Sequence, residues 1–94
     1  MNKRYKVTKK TLYNLPSDVV YIGRPSKYGN PYKIGRDGTR EEVVDKYRRY
    51  LNWMLRLNPK FLEPLIGKRL GCWCNLDLLC HGDVIIEVME KLYG

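Results

Sequence analysis

Thr39-Arg40-Glu41-Glu42 opens the one long periodic segment of the chain, and that segment limits the fold more than any other feature. Thr39 and Glu42 make a capping box, the hydroxyl bonding forward to the helix and the carboxylate reaching back. Val43, Val44, Tyr47, Tyr50, Leu51, Met54 and Leu57 then recur at three and four residues, the apolar face of a helix that ends before Pro59. Val19-Val20-Tyr21-Ile22 precedes it and reads as a buried strand, β-branched and aromatic. Lys68-Arg69-Leu70-Gly71-Cys72-Trp73-Cys74 follows and reads as a strand running into a loop. Strand, helix, strand is the parallel β-α-β unit with a right-handed crossover.

The remaining elements fit around that unit. Gly82-Asp83 opens a last helix with Val84, Ile85, Val88, Met89 and Leu92 on its buried side. A short helix is expected over Lys60–Ile66, ended by Gly67. Arg4-Tyr5-Lys6-Val7-Thr8 alternates as a short edge strand, where basic residues suit an exposed edge. The expected fold class is α/β: a small parallel β-α-β core with helices packed on a short sheet. The 94 residues give room for one domain, a basic N-terminal segment (1–18) preceding the core (19–94). No apolar run approaches the roughly 20 residues that span a bilayer, and no apolar signal segment follows the basic start. The reading is a cytoplasmic protein with no membrane partner.

Charge points to the ligand class. The chain carries a formal charge of +8, from 18 Lys and Arg against 10 Asp and Glu. Such an excess favours anionic partners, by steering and by counterion release from phosphates. Lys3, Arg4, Lys6, Lys9 and Lys10 crowd the start, which reads equally well as a basic solubilising tail. Arg40, Lys46, Arg48, Arg49 and Arg56 occupy the polar side of the long helix and read as a solvated face.

Between Gly23 and Gly38 glycine and proline punctuate the chain, with one brief extended piece expected at Tyr32-Lys33-Ile34. Long stiffened loops in compact domains are often functional. Gly23 and Gly29 permit close backbone approach to a ligand. Arg24 can fork onto phosphate, Lys27 adds charge, and Tyr28 offers a stacking face. Asn30 either bonds a base edge or closes an Asx-turn before Pro31. The glycine spacing and terminal Lys-Ser/Thr of a P-loop are absent.

All three cysteines lie within nine residues, which argues against a spread disulfide framework and for metal binding or reactivity. If Cys72 and Cys74 lie on extended backbone they share a face, and Trp73 points to the other as a core residue or a base-stacking one. Cys80-His81-Gly82-Asp83 sits at a helix start, where unpaired N–H groups and the dipole lower a thiol pKa and favour an anion. Three readings stand side by side. Cys72, Cys74, Cys80 and His81 match zinc in ligand type and number. Cys80 as nucleophile or His81 as acid–base group, with Asp83 orienting, is a catalytic arrangement. Small buried thiols with Asp83 as a helix-start carboxylate, stabilising by roughly 0.3–1 kcal/mol, complete the set.

The topology joins the two loops. In open parallel sheets ligands bind beyond the carboxyl ends of strands. The Gly23–Pro31 loop leaves one such end and the Cys72–Asp83 segment leaves the other, so adjacent strands put both on one cleft.

Val20-Tyr21-Ile22-Gly23-Arg24-Pro25-Ser26-Lys27-Tyr28-Gly29-Asn30-Pro31-Tyr32, Ile34–Arg40, Gly67–Cys74 and Cys80-His81-Gly82-Asp83-Val84 together resemble the family known as domain of unknown function 4326. The likeness runs from Val19 to about Leu92. It implies an origin in bacteria, archaea or their viruses, and supplies these residues without a reaction. In that family the link between the second and third cysteines is shorter and contains proline. Here Asn75-Leu76-Asp77-Leu78-Leu79 is apolar and lacks it.

The function expected from these observations is binding of a phosphate-bearing ligand, nucleotide or nucleic acid, between the two loops. Arg24, Lys27 and the helix start would hold the anion, and Cys80, His81 and Asp83 would supply any nucleotide-processing chemistry. The alternatives are a non-enzymatic basic nucleic-acid-binding module, zinc-stabilised or not, and a viral accessory protein that binds a host protein in the host cytoplasm.

Overall fold

The computed structural model describes residues 2–94. Three short strands, β1 (Arg4–Lys6), β2 (Val19–Tyr21) and β3 (Arg69–Cys72), form a parallel sheet in the order β1-β3-β2. Two helices, α1 (Arg40–Leu57) and α2 (His81–Tyr93), and a single 3₁₀ turn at Glu63–Leu65 complete it. This is a small mixed α/β fold with a parallel sheet.

β3 is the central strand because it pairs on both sides. Leu70 lies opposite Arg4 on one side and Val20 on the other, and Gly71 opposite Tyr5 and Tyr21. Gly71 suits the close packing there, since a Cβ would lie 3.0 Å from Val19 Cγ1 and from Val7 Cγ2 and press both side chains aside. The ladders run on past the strands, with Ile22 N–H donating to the Gly71 carbonyl (2.9 Å) and Val7 N–H to that of Cys72 (2.8 Å). β2 is therefore an edge strand rather than the fully buried one its composition indicates, and Val20 and Tyr21 are only half-buried. β-branched composition marks a pleated, packed surface but does not say which strand has two neighbours.

α1 begins as its capping box dictates. Glu42 N–H donates to the Thr39 hydroxyl, and Thr39 N–H donates to the Glu42 carboxylate at 2.9 Å. Val43, Val44, Tyr47 and Leu51 are buried. Val44, Tyr47 and Leu51 pack with Val84, Ile85 and Met89 of α2, with Leu70 of the sheet and Ile22 just beyond β2, and with Phe61, Leu62 and Leu65. Full burial of such a side chain contributes roughly 1.5–3 kcal/mol. Leu57 and Leu92, placed by periodicity on the buried faces, are exposed in the last turns of their helices. The expected helix at Lys60–Ile66 shortens to the 3₁₀ turn, with Pro64 near its start. Tyr32–Ile34 runs from a bend at Tyr32 into a turn at Ile34 rather than forming a strand.

The basic regions are woven into the structure. Arg4–Lys6, within the basic N-terminal segment, is an edge strand of the sheet, where its alternation places it. On α1, Arg48 pairs with Glu87, Arg49 with Asp45, and Lys46 Nζ donates to the Asp37 carbonyl at 2.6 Å. Arg40 turns toward the β3–α2 loop. No helix among the described residues is long and apolar enough to cross a membrane.

Candidate functional site

A cavity of about 530 Å³ opens at the carboxyl ends of β2 and β3. Such volumes suit small ligands. Tyr21, Gly23, Arg24, Asn30, Tyr32, Lys33 and Ile34 form the wall that follows β2. Cys72, Trp73, Cys74, Leu79, Cys80 and His81 form the wall that follows β3, and Arg40, Val43 and Val44 contribute the first turns of α1. Arg24 and His81 thus face one space, because β2 and β3 are hydrogen-bonded parallel neighbours.

The lining holds three cations, Arg24, Lys33 and Arg40, and no carboxylate. Arg24 Nη1 donates to the Asn30 carbonyl at 3.3 Å. Arg40 Nη1 donates to the Leu79 carbonyl at 3.1 Å and stands 3.6 Å from Cys74 Sγ. Each guanidinium keeps further N–H groups for a ligand. Trp73 is exposed (43%) at this mouth, its indole N–H donating to the Tyr21 hydroxyl at 2.8 Å, and is not a core residue. The strand pleat explains this: Cys72 faces inward and the next residue faces out.

At the cavity floor three free thiols and an imidazole meet. Cys80 Sγ lies 3.6 Å from Cys72 Sγ and 3.5 Å from His81 Nδ1. Cys80 is the N-cap of α2, and Gly82 N–H donates to its sulfur at 3.4 Å. His81 Nε2 lies 2.8 Å from the Ile22 carbonyl oxygen. A carbonyl only accepts, so Nε2 carries the proton and Nδ1 presents its lone pair to Cys80. Burial holds the His81 pKa below its ordinary value, outweighing the Ile22 hydrogen bond. The hydrogen bond from Cys72 lowers the Cys80 pKa, aided by Cys74, the Gly82 amide and Arg4. Hydrogen bonding with Cys74 and Cys80, together with burial, raises that of Cys72. Within the pair Cys80 is therefore the more readily ionised thiol and Cys72 the less.

Several residues singled out from the sequence have other posts. Tyr28 is buried (4% exposed), donates to the Phe61 carbonyl at 3.1 Å and accepts at its own carbonyl from Tyr47 at 2.7 Å, so it is a core residue and offers no stacking face. Lys27 Nζ lies over the rings of Tyr28 and Phe61, away from the cavity lining. Gly29 makes its close approach to the Arg24 backbone (3.1 Å from a built Cβ). Asn30 closes the Asx-turn, accepting from Tyr32 N–H at 2.9 Å, and its amide donates to the Val43 carbonyl at 3.1 Å. Asp83 lies outside the lining. Its carboxylate accepts from Cys80 N–H at 2.9 Å and pairs with Arg4 Nε at 3.1 Å. The start of α2 is thus capped from within by Cys80 and Asp83, which leaves it poorly suited to an external anion.

Among the described residues no group of three or more His, Cys, Asp or Glu side chains is arranged to hold a metal ion, so the zinc set of Cys72, Cys74, Cys80 and His81 finds no support. Arg4 Nη1 at 3.9 Å from Cys72 Sγ and Arg40 Nη1 at 3.6 Å from Cys74 Sγ set positive charge against the sulfurs.

Arg40, Tyr21, Tyr32 and Lys33 were not singled out as site residues by motif. One signal for Arg40 was present: in a β-α-β unit the helix starts on the side where the first strand ends, so the first residues of α1 face the ligand side. Tyr32 and Lys33 had none, since their approach depends on how the loop folds back.

A 12.4 kDa uncharacterised protein of the nrdA-td intergenic region of Enterobacteria phage T4 is 33% identical over 78 residues, covering 79% of this chain and 69% of its own length. The uncharacterised protein R718 of Acanthamoeba polyphaga mimivirus is 31% identical over 90 residues, with 78% and 68% covered. No solved structure matches. The family model named domain of unknown function (DUF4326) matches residues 5–91, from β1 into the last turns of α2, and the chain belongs to that family.

Proposed function

We propose that the cavity binds a nucleotide, with phosphate held by Arg24, Lys33 and Arg40 and the base resting against Trp73 or Tyr32. The observation that carries this reading is the composition of the lining, three cations and three aromatic side chains with no acidic group. Guanidiniums with free N–H groups match phosphate geometry, and exposed aromatic faces accept any base. The net charge of +8 would steer such a ligand inward. The viral relatives make a host cytoplasm the expected place of action.

The Cys80–His81 pair favours an enzymatic extension of the same reading. A thiol with an oriented imidazole lone pair beside it is a nucleophile-and-base arrangement, and Ile22 fixes the tautomer. The test is titration of a Trp53→Phe variant, in which Trp73 is the remaining tryptophan, with nucleoside mono-, di- and triphosphates, the matching nucleosides and inorganic phosphate. Nucleotides are expected to quench Trp73 and to bind more tightly than nucleosides. An unchanged signal and no heat of binding across the nucleotide panel overturns the proposal.

A further inference from the structure

We infer that Cys72 and Cys80 form a peroxide-responsive dithiol that closes to a reversible disulfide while Cys74 remains free. This inference stands apart from the ligand proposed for the cavity. It rests on three geometric facts. The Cys72 and Cys80 sulfurs are already 3.6 Å apart, so modest side-chain rotation brings them to bonding distance. Both line the cavity, which admits a small oxidant to sulfurs that are otherwise buried. Cys80 Sγ has the groups that make and hold a thiolate: His81 Nδ1 at 3.5 Å to take its proton, with the Gly82 amide at 3.4 Å and the Arg4 guanidinium nearby to favour the charge. Cys74 also touches both sulfurs, but it lies only two residues from Cys72, just beyond β3, and its own sulfur lies against Arg40.

The chemistry balances with hydrogen peroxide as the oxidant. His81 Nδ1 takes the Cys80 proton, the resulting thiolate attacks one peroxide oxygen, the O–O bond breaks, and the departing hydroxide takes that proton from His81 to leave as water, giving a Cys80 sulfenic acid. The Cys72 sulfur then attacks Cys80 Sγ, the S–O bond breaks, and the Cys72 proton goes to the departing hydroxide, with His81 Nδ1 placed to relay it. Two thiols and one peroxide become one disulfide and two waters. A dithiol reductant reverses the step by exchange.

The full chain is treated with stoichiometric hydrogen peroxide, its free thiols are counted after denaturation, and cross-linked peptides are mapped by mass spectrometry. The three free thiols of the reduced protein are expected to fall to one, with Cys72 joined to Cys80 and dithiothreitol restoring all three. Cys74→Ser is expected to lose both remaining thiols in the same way, and His81→Gln to close at least several-fold more slowly. A Cys74→Ser protein that keeps both thiols under peroxide overturns the inference, as does a wild-type cross-link that includes Cys74. Because mapping is done on the wild type and on Cys74→Ser, the result does not depend on how well core variants at Cys72 or Cys80 fold.

Discussion

His81 Nε2 donates to the carbonyl oxygen of Ile22 across 2.8 Å, which fastens the first residue of α2 to the backbone just beyond β2. That bond persists in the protonated ring and favours it, but burial, with the nearby Arg24 and Arg4 charges, opposes protonation and outweighs it, so the His81 pKa is depressed. The unfolded chain takes up the proton first as pH falls. Stability is thus fully present above the ordinary histidine value of 6.5 and declines as pH drops below it toward the folded pKa. Urea denaturation of wild type and His81→Gln across that range is expected to show this decline in the wild type only. Parallel pH profiles for the two would remove His81 as its source.

Arg4 joins β1 to the β3–α2 segment. Its side chain is nearly buried, pairs with Asp83 and donates from Nη2 to the carbonyls of Leu76 (2.6 Å) and Leu78 (2.9 Å). Hydrogen bonds from a charged donor contribute roughly 1.5–3 kcal/mol. Arg4→Met is expected to lower unfolding free energy by about 2 kcal/mol and to speed proteolysis within residues 75–79. A midpoint shift below about 0.5 kcal/mol, the usual size for a surface change, would contradict this.

Tyr28 and Trp73 exchange the roles that their sequence contexts indicate. Tyr28→Phe leaves the Phe61 carbonyl without its buried donor and is expected to cost about 1 kcal/mol while nucleotide affinity stays unchanged. Trp73→Ala is expected to do the reverse, lowering affinity about tenfold with little loss of stability. Paired chemical denaturation and calorimetric titration read both effects, and weakened binding by Tyr28→Phe at unchanged fold would return that ring to the site.

Arg24→Gln and Arg40→Gln each remove one cation from the lining. Each is expected to weaken nucleotide binding about tenfold, or roughly 1.4 kcal/mol. The loss should shrink as salt rises, because the removed interaction is partly screened. Equal affinity of all three proteins at low ionic strength would dissociate the cations from the ligand.

Much of the cleft was legible in the order of elements. A strand, a capped helix and a second strand placed Arg24 and His81 at neighbouring carboxyl ends, and the structure brings both to one cavity. Arg40 was in view as part of a basic helix row, but its post at the mouth followed from helix direction rather than from composition. The thiol contacts were harder to read, since Cys80 reaches Cys72 only through the turn made by Asn75–Leu79, which has no sequence signature of its own.

Local chemistry in the sequence determined where the long helix starts and stops and which residues precede each turn, because capping and periodicity act over a few residues. It determined the excess of positive charge as well. Only the tertiary structure decided that β3 lies between the other two strands, that Tyr28 turns inward while Trp73 stays out, and that Asp83 is held by Arg4. Each of those depends on pairing partners far apart along the chain, which no local pattern encodes.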